Sequence, residues 1–200
     1  MVFYKLVISE KGRGFVATKR IPKNTVLLRE VPYLVAEDAY DAIYQIYGNV
    51  YGDDENDIIR SKFEALVPRV IDKHTISCDH VLRDVATLPT YMKDFFTTNI
   101  KPERLRLLVT KFYRNAFTYH SPPCAILELG TVFNHSCDNN VDFYVDDKSG
   151  AIVFETNREV QEGEELSDTY ITTNAARSKR RATLLSQYGF ECRCGKCRPL

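Results

Sequence analysis

Tyr188-Gly189-Phe190-Glu191-Cys192-Arg193-Cys194-Gly195-Lys196-Cys197 is the stretch on which the reading of this 200-residue sequence turns. Three of the six cysteines sit in its C-x-C-x-x-C half. That spacing wraps three thiolates around one side of a metal ion, and a structural zinc takes four ligands in a tetrahedron. A fourth ligand must therefore come from elsewhere in the chain. The segment Asn134-His135-Ser136-Cys137 offers both an imidazole and a thiol, with Cys137 the candidate. A disulfide framework is disfavoured, because Met1-Val2-Phe3-Tyr4-Lys5 lacks the basic-then-apolar layout of a secretory signal. The remaining Cys78 and Cys124 read as buried free thiols that pack as small hydrophobes.

Composition bounds what surrounds this cluster. With 44% hydrophobic residues, aromatics included, a chain of this length has the material for a core, which excludes disorder as its main state. Lys+Arg and Asp+Glu both number 27, so no net charge is available for coating nucleic acid or an anionic membrane. Apolar runs such as Tyr33-Leu34-Val35-Ala36 are too short to span a bilayer. The expectation is a soluble intracellular protein, in nucleus or cytoplasm, with no membrane partner. Neither a G-x-G-x-x-G nor a G-x-x-x-x-G-K-[ST] phosphate loop occurs, and no G-x-S-x-G nucleophile elbow.

Moving outward from the cysteines, Gly189 ends a helix expected to run from an N-cap at Asn174 through Leu184 and Tyr188. Before it come strand signals at 125–129, 141–145, 151–156 and 165–171, with Asp146-Asp147-Lys148-Ser149-Gly150 as a hairpin turn. The first third reads as extended segments at 2–9, 14–18 and 25–35, punctuated by Gly12, Gly14, Pro22 and Pro32. Between these two sets lies a helical insert, approximately 37–119. Within it 57–67 and 102–116 place apolar residues at helical spacing, the second opening on Pro102. The fold class is therefore α+β, mostly β, with residues 1–191 as the main domain and 192–200 as a zinc-binding tail.

Four segments in order, Lys11-Gly12-Arg13-Gly14, Asn134-His135-Ser136-Cys137, Gly163-Glu-Glu-Leu-Ser-Asp-Thr-Tyr170 and Tyr188 to Cys197, resemble a SET-domain protein lysine methyltransferase. Within that superfamily the chain is most similar to the SET and MYND branch. It is expected to depart from that branch in lacking the MYND zinc module, since 36–115 supplies only Cys78, His74 and His80, and in lacking the C-terminal helical extension.

The resemblance implies a SET fold of short strands with a post-SET zinc tail, one structural zinc on Cys137, Cys192, Cys194 and Cys197, and S-adenosylmethionine as methyl donor. It implies cofactor contacts from Lys11, Gly12, Arg13, Gly14, Asn115, Asn134, His135, Tyr170 and Phe190. Tyr188 would line the channel for the target lysine and Tyr170 would be catalytic. The partner implied is a protein or peptide carrying lysine, a histone tail among the candidates. Two other readings compete. One is a zinc-stabilised module binding chromatin or RNA through Arg177-Ser-Lys-Arg-Arg181, and the other is an inactive SET scaffold. A solvated helix face is the plain explanation of that basic run, as a solvated hairpin is of Asp138, Asp142, Asp146 and Asp147.

Overall fold

The computed structural model describes residues 3–9, 12–48, 52–120 and 122–198. In chain order the strands are β1 (Tyr4–Ser9), β2 (Gly12–Ala17), β3 (Val26–Glu30), β4 (Leu34–Ala36), β5 (Ala116–Thr118), β6 (Cys124–Ile126), β7 (Asn134–His135), β8 (Val141–Asp146), β9 (Ala151–Thr156) and β10 (Glu165–Asp168). The helices are α1 (Ala39–Tyr47), α2 (Asp53–Ala65), α3 (Cys78–Thr87), α4 (Thr90–Asn99), α5 (Pro102–Asn115) and α6 (Arg177–Tyr188). They divide into two compact units, one made of 1–32 with 127–200, the other of 33–126.

The first unit holds two small sheets. One has the order β1-β2-β10-β7, antiparallel except for the β10–β7 pair, which is parallel and sets Ser167 opposite Asn134 and Asp168 opposite His135. That single parallel pairing brings two motifs more than thirty residues apart in sequence onto neighbouring strand ends. The other sheet has the order β3-β9-β8, with β8 and β9 joined at the expected turn, where Gly150 sits at φ +68°. Phe15, Phe133 and Phe154 form the aromatic spine of this unit, Phe133 stacking on Phe154 at 4.7 Å between centroids. Gly130 makes that stack fit, because a Cβ there would meet the Phe154 ring at 2.9 Å.

The second unit is helical with a small sheet of order β4-β6-β5. Leu34 pairs with Ile126 and Ala36 with Cys124, so the two ends of the unit are hydrogen-bonded neighbours. Its buried cluster, including Ile43, Phe63, Val81, Phe96, Leu108 and Phe112, draws only on residues between Leu34 and Ile126. Asp38 caps α1 by accepting from the amides of Tyr40 and Asp41. Pro102 opens α5 as expected, and Lys111 is buried in that helix, its Nζ donating to the Glu64 carbonyl at 2.7 Å.

Helices α1 to α5 run from Ala39 to Asn115, within the anticipated 37–119, but three of these five were not read individually. The expected extended run over 25–35 is two strands, broken between Glu30 and Leu34, where Pro32 removes a ladder donor. Helix α6 begins later than expected, with Ala176 rather than Asn174 at the cap position. Cys78 and Cys124 are half-buried rather than core thiols.

Candidate active site and metal centre

The sulfurs of Cys137, Cys192, Cys194 and Cys197 all lie within 4.8 Å of one another. All four are free thiols, and Cys137 and Cys197 approach to 3.5 Å between sulfurs. Four sulfurs around a tetrahedral zinc at about 2.3 Å stand roughly 3.8 Å apart, so the cluster needs little adjustment to take one ion. Burial pushes the Cys192 thiol up to about 12. A cation is what would let such a sulfur shed its proton. Three neighbouring groups frame the set. His135 Nε2 stands 3.3 Å from Cys137 Sγ, Arg180 Nη2 lies 3.7 Å from Cys197 Sγ, and Lys196 pairs with Asp138 at 3.1 Å.

Tyr170 lies just past the end of β10, beside this cluster. Its hydroxyl donates to the Phe133 carbonyl at 2.7 Å and its amide donates to His135 Nδ1 at 3.0 Å. Because Nδ1 accepts, the neutral imidazole carries its proton on Nε2, facing Cys137. Burial holds the His135 pKa down to about 4, with the Arg180 charge adding to the effect. The Tyr170 ring meets Tyr188 at 5.0 Å, His135 at 5.3 Å and Phe190 at 6.4 Å between centroids, and the Tyr188 hydroxyl donates to the Tyr170 carbonyl at 3.2 Å. Burial, and then the Asp168 carboxyl, push the Tyr170 phenol well above its ordinary pKa. It is a protonated hydrogen-bonding group, not a base, at neutral pH.

The start of β2, with Gly12, Arg13 and Gly14, lies beside β7, since Asn134 reaches the Arg13 carbonyl. Gly12 sits at φ +93°, and a Cβ there would meet nothing within 4 Å, so there is open space on its side-chain side. At Gly14 the missing side chain makes room for Asn134, whose Nδ2 would lie 2.6 Å from an added Cβ. From there Asn134 Nδ2 donates to the Arg13 carbonyl at 3.0 Å and to Glu165 Oε1 at 2.9 Å. The side-chain donors of Asn134 and both ring nitrogens of His135 are thus engaged within the protein, which leaves backbone groups and the open space beside Gly12 for a polar ligand. Lys11 falls outside the described residues. Asn115 belongs to the second unit, where its Nδ2 donates to the carbonyls of Val67 and Lys111 at 2.6 and 2.7 Å, as a helix-end asparagine does.

The sequence model of the SET domain matches residues 12–171. The chain is a SET-domain protein. A putative SET domain-containing protein of Acanthamoeba polyphaga mimivirus is 30% identical over 200 residues, covering 96% of this chain and 76% of the viral one. The histone-lysine N-methyltransferase set5 of Schizosaccharomyces pombe is 24% identical over 197 residues, covering 97% of this chain and 50% of the yeast protein. Among solved structures, the SET domain of LSMT bound to lysine and AdoHcy superposes with a TM-score of 0.61 at 16% identity, over 96% of this chain and 53% of that one. Rubisco LSMT bound to AdoMet gives 0.60 at 14% identity, over 96% and 52%. The chain spans about half the length of the yeast relative and of these structures.

Two features of this SET-domain protein went unread in its sequence. Asp168, between two motif positions, is 3% exposed, and burial raises its carboxyl to about 7, with Asp142 adding to the effect. Strand alternation could not have signalled it, because Leu166, Ser167 and Asp168 are buried in succession. Arg180 was read with a solvated basic run, yet it is 8% exposed and donates to the carbonyls of Ala175 and Lys196. Its neighbours are also engaged, Arg181 with Glu191 at 3.1 Å and Arg177 with the Arg198 carbonyl at 3.2 Å. Asp142 accepts from Asn139 and Asn157, and Asp146 pairs with Arg29 at 2.9 Å, so local bonding accounts for much of the acidic set.

Proposed function

We propose that this protein is a protein-lysine N-methyltransferase that uses S-adenosylmethionine, with one structural zinc held by Cys137, Cys192, Cys194 and Cys197. The observation that carries the reading is the aromatic cluster of Tyr170, Tyr188, Phe190 and His135 built directly on the cysteine set. Relatives named histone-lysine N-methyltransferases support it, as do SET neighbours bound to lysine and AdoHcy. A histone tail is accordingly the first substrate to try.

S-adenosylmethionine supplies, when bound, a sulfonium methyl open to in-line attack by an amine. The chain must bind the target lysine, hold its amine in line and favour its neutral form, since a free lysine has a pKa of about 10.4. Aromatic walls at Tyr170, Tyr188 and Phe190 disfavour the ammonium by desolvation. Tyr170 spends its one hydroxyl proton on Phe133, so its oxygen lone pairs remain as acceptors that align donors of partial positive charge. Its raised pKa makes it an orienting group rather than a proton acceptor. The zinc would hold the segment carrying Phe190 against β7, which is a structural contribution and not a chemical one.

Calorimetric titration of the zinc-loaded protein with S-adenosylmethionine, followed by labelled methyl transfer to histone and other lysine peptides, tests the reading. Saturable binding near one equivalent with label on lysine is expected. Tyr170→Phe should bind the donor within about threefold of wild type yet lose about 100-fold or more in kcat, the scale of a lost orienting contact. Full activity in that variant removes Tyr170 from the chemistry, and zinc without any donor binding removes the enzyme reading.

A further inference from the structure

The basic run on α6 contains one residue whose placement neither the strand architecture nor methyl transfer explains. Arg180 is 8% exposed, and among the described residues no carboxylate pairs with it. Its guanidinium reaches two carbonyls, of Ala175 and Lys196, and the sulfur of Cys197 at 3.7 Å. A buried cation without an anion is costly and needs a compensating charge nearby. Among the described residues, the groups it reaches that can supply one are the sulfurs.

We infer that Arg180 is the counter-ion of the metal centre, a positioning residue that sets how tightly zinc is held. Four thiolates around a divalent ion carry a net charge of −2 in a site where three of the four cysteines are buried. The guanidinium removes one of those two negative charges. By donating to the Lys196 carbonyl it also pins the backbone between two ligands, Cys194 and Cys197. His135 Nε2–H, 3.3 Å from Cys137 Sγ, supplies a weaker donor on the opposite strand. The charge of Arg180 is thus an internal component of the metal site, where its sequence neighbourhood reads as a surface patch. This inference goes beyond methyl transfer and holds whether or not the protein is an enzyme.

The test uses the full chain, zinc-loaded, in competition with a chromophoric chelator, comparing wild type with Arg180→Lys, Arg180→Gln and, on the exposed face of the same helix, Lys179→Gln. Loss of groups that support metal ligands typically costs about 10- to 100-fold in affinity, and that is the loss expected for Arg180→Gln. Arg180→Lys, which keeps the charge but not the fork, should hold zinc at least fivefold tighter than Arg180→Gln, and Lys179→Gln should match wild type within twofold. Should metal-free Arg180→Gln be unfolded, the zinc-driven recovery of its far-UV circular dichroism yields the same constant.

Melting separates this role from ordinary packing. Arg180→Gln should lower the midpoint of the zinc-loaded chain and leave that of the metal-free chain unchanged or higher, because without thiolates the buried charge is uncompensated. Zinc affinity of Arg180→Gln within twofold of wild type overturns the inference. So does equal affinity of the Lys and Gln variants, an equal loss of melting temperature with and without zinc, or a wild-type chain that takes up no zinc.

Discussion

Asp168 shows how much a single buried group can shape behaviour. In an unfolded chain its carboxyl titrates near 3.8, whereas in the folded protein burial raises it to about 7. Below the lower value both states are protonated and nothing is lost. Between the two, the folded chain holds a proton that the unfolded chain has released, so stability falls as pH rises, and the full cost is present above about 7. Asp168→Asn keeps the acceptor for the Thr169 amide without the charge. Chemical denaturation at pH 5 and pH 8 should show the variant gaining on wild type at the higher pH, by a few kcal/mol at most on the scale of about 1.4 kcal/mol per unit. A gap that does not change with pH would place the Asp168 pKa at its ordinary value. Gly14→Ala probes the same corner. Its Cβ would displace Asn134 Nδ2, 2.6 Å away, and with it the bonds to Arg13 and Glu165. The expected loss is about 1–2 kcal/mol for two hydrogen bonds, visible as a lower melting midpoint. An unchanged midpoint would show that Asn134 finds equal partners elsewhere.

At the scale of elements, the residues that were legible are those whose local chemistry is strong. Pro102 opening α5, Gly150 closing the β8–β9 turn and Gly189 ending α6 were read from residue type alone, because each meets a backbone requirement that few residues satisfy. Helices α3 and α4 were missed because each turns only two residues fully inward, Val81 with Val85 and Met92 with Phe96, while Leu82 and Tyr91 face solvent and blur the periodicity. Three members of the cysteine cluster were legible from C-x-C-x-x-C, since that spacing is local, and Cys137 was the candidate for a fourth. Arg180 was not, because its burial depends on the tail folding back onto α6. Gly189 is at φ +79° as the left-handed cap, and Phe190 follows directly. Gly189→Ala should therefore cost about 1 kcal/mol, and tilting Phe190 should weaken donor binding further. Calorimetry and melting on the same variant report both, and a cap that tolerates alanine in both readouts contradicts the assignment.

For the molecule as a whole, the division into two units follows from where the cores lie. Every buried residue of the helical cluster belongs to 34–126, and β4 and β6 tie its ends together. Residues 33–126 expressed alone should therefore fold, with helical circular dichroism and a cooperative melt; a featureless, non-cooperative profile would show that the unit depends on the rest of the chain. The order of the family motifs, not their individual strength, made the overall architecture readable, because chance places four such segments in sequence far less often than one. The pairing of Leu34 with Ile126 carries one more implication. To the strands on either side, everything between those two residues is a single oversized turn whose feet stay planted while its contents change. A helix added or removed in that span would leave its feet paired, because the helical cluster is drawn from 34–126 and the β4–β6 ladder closes it.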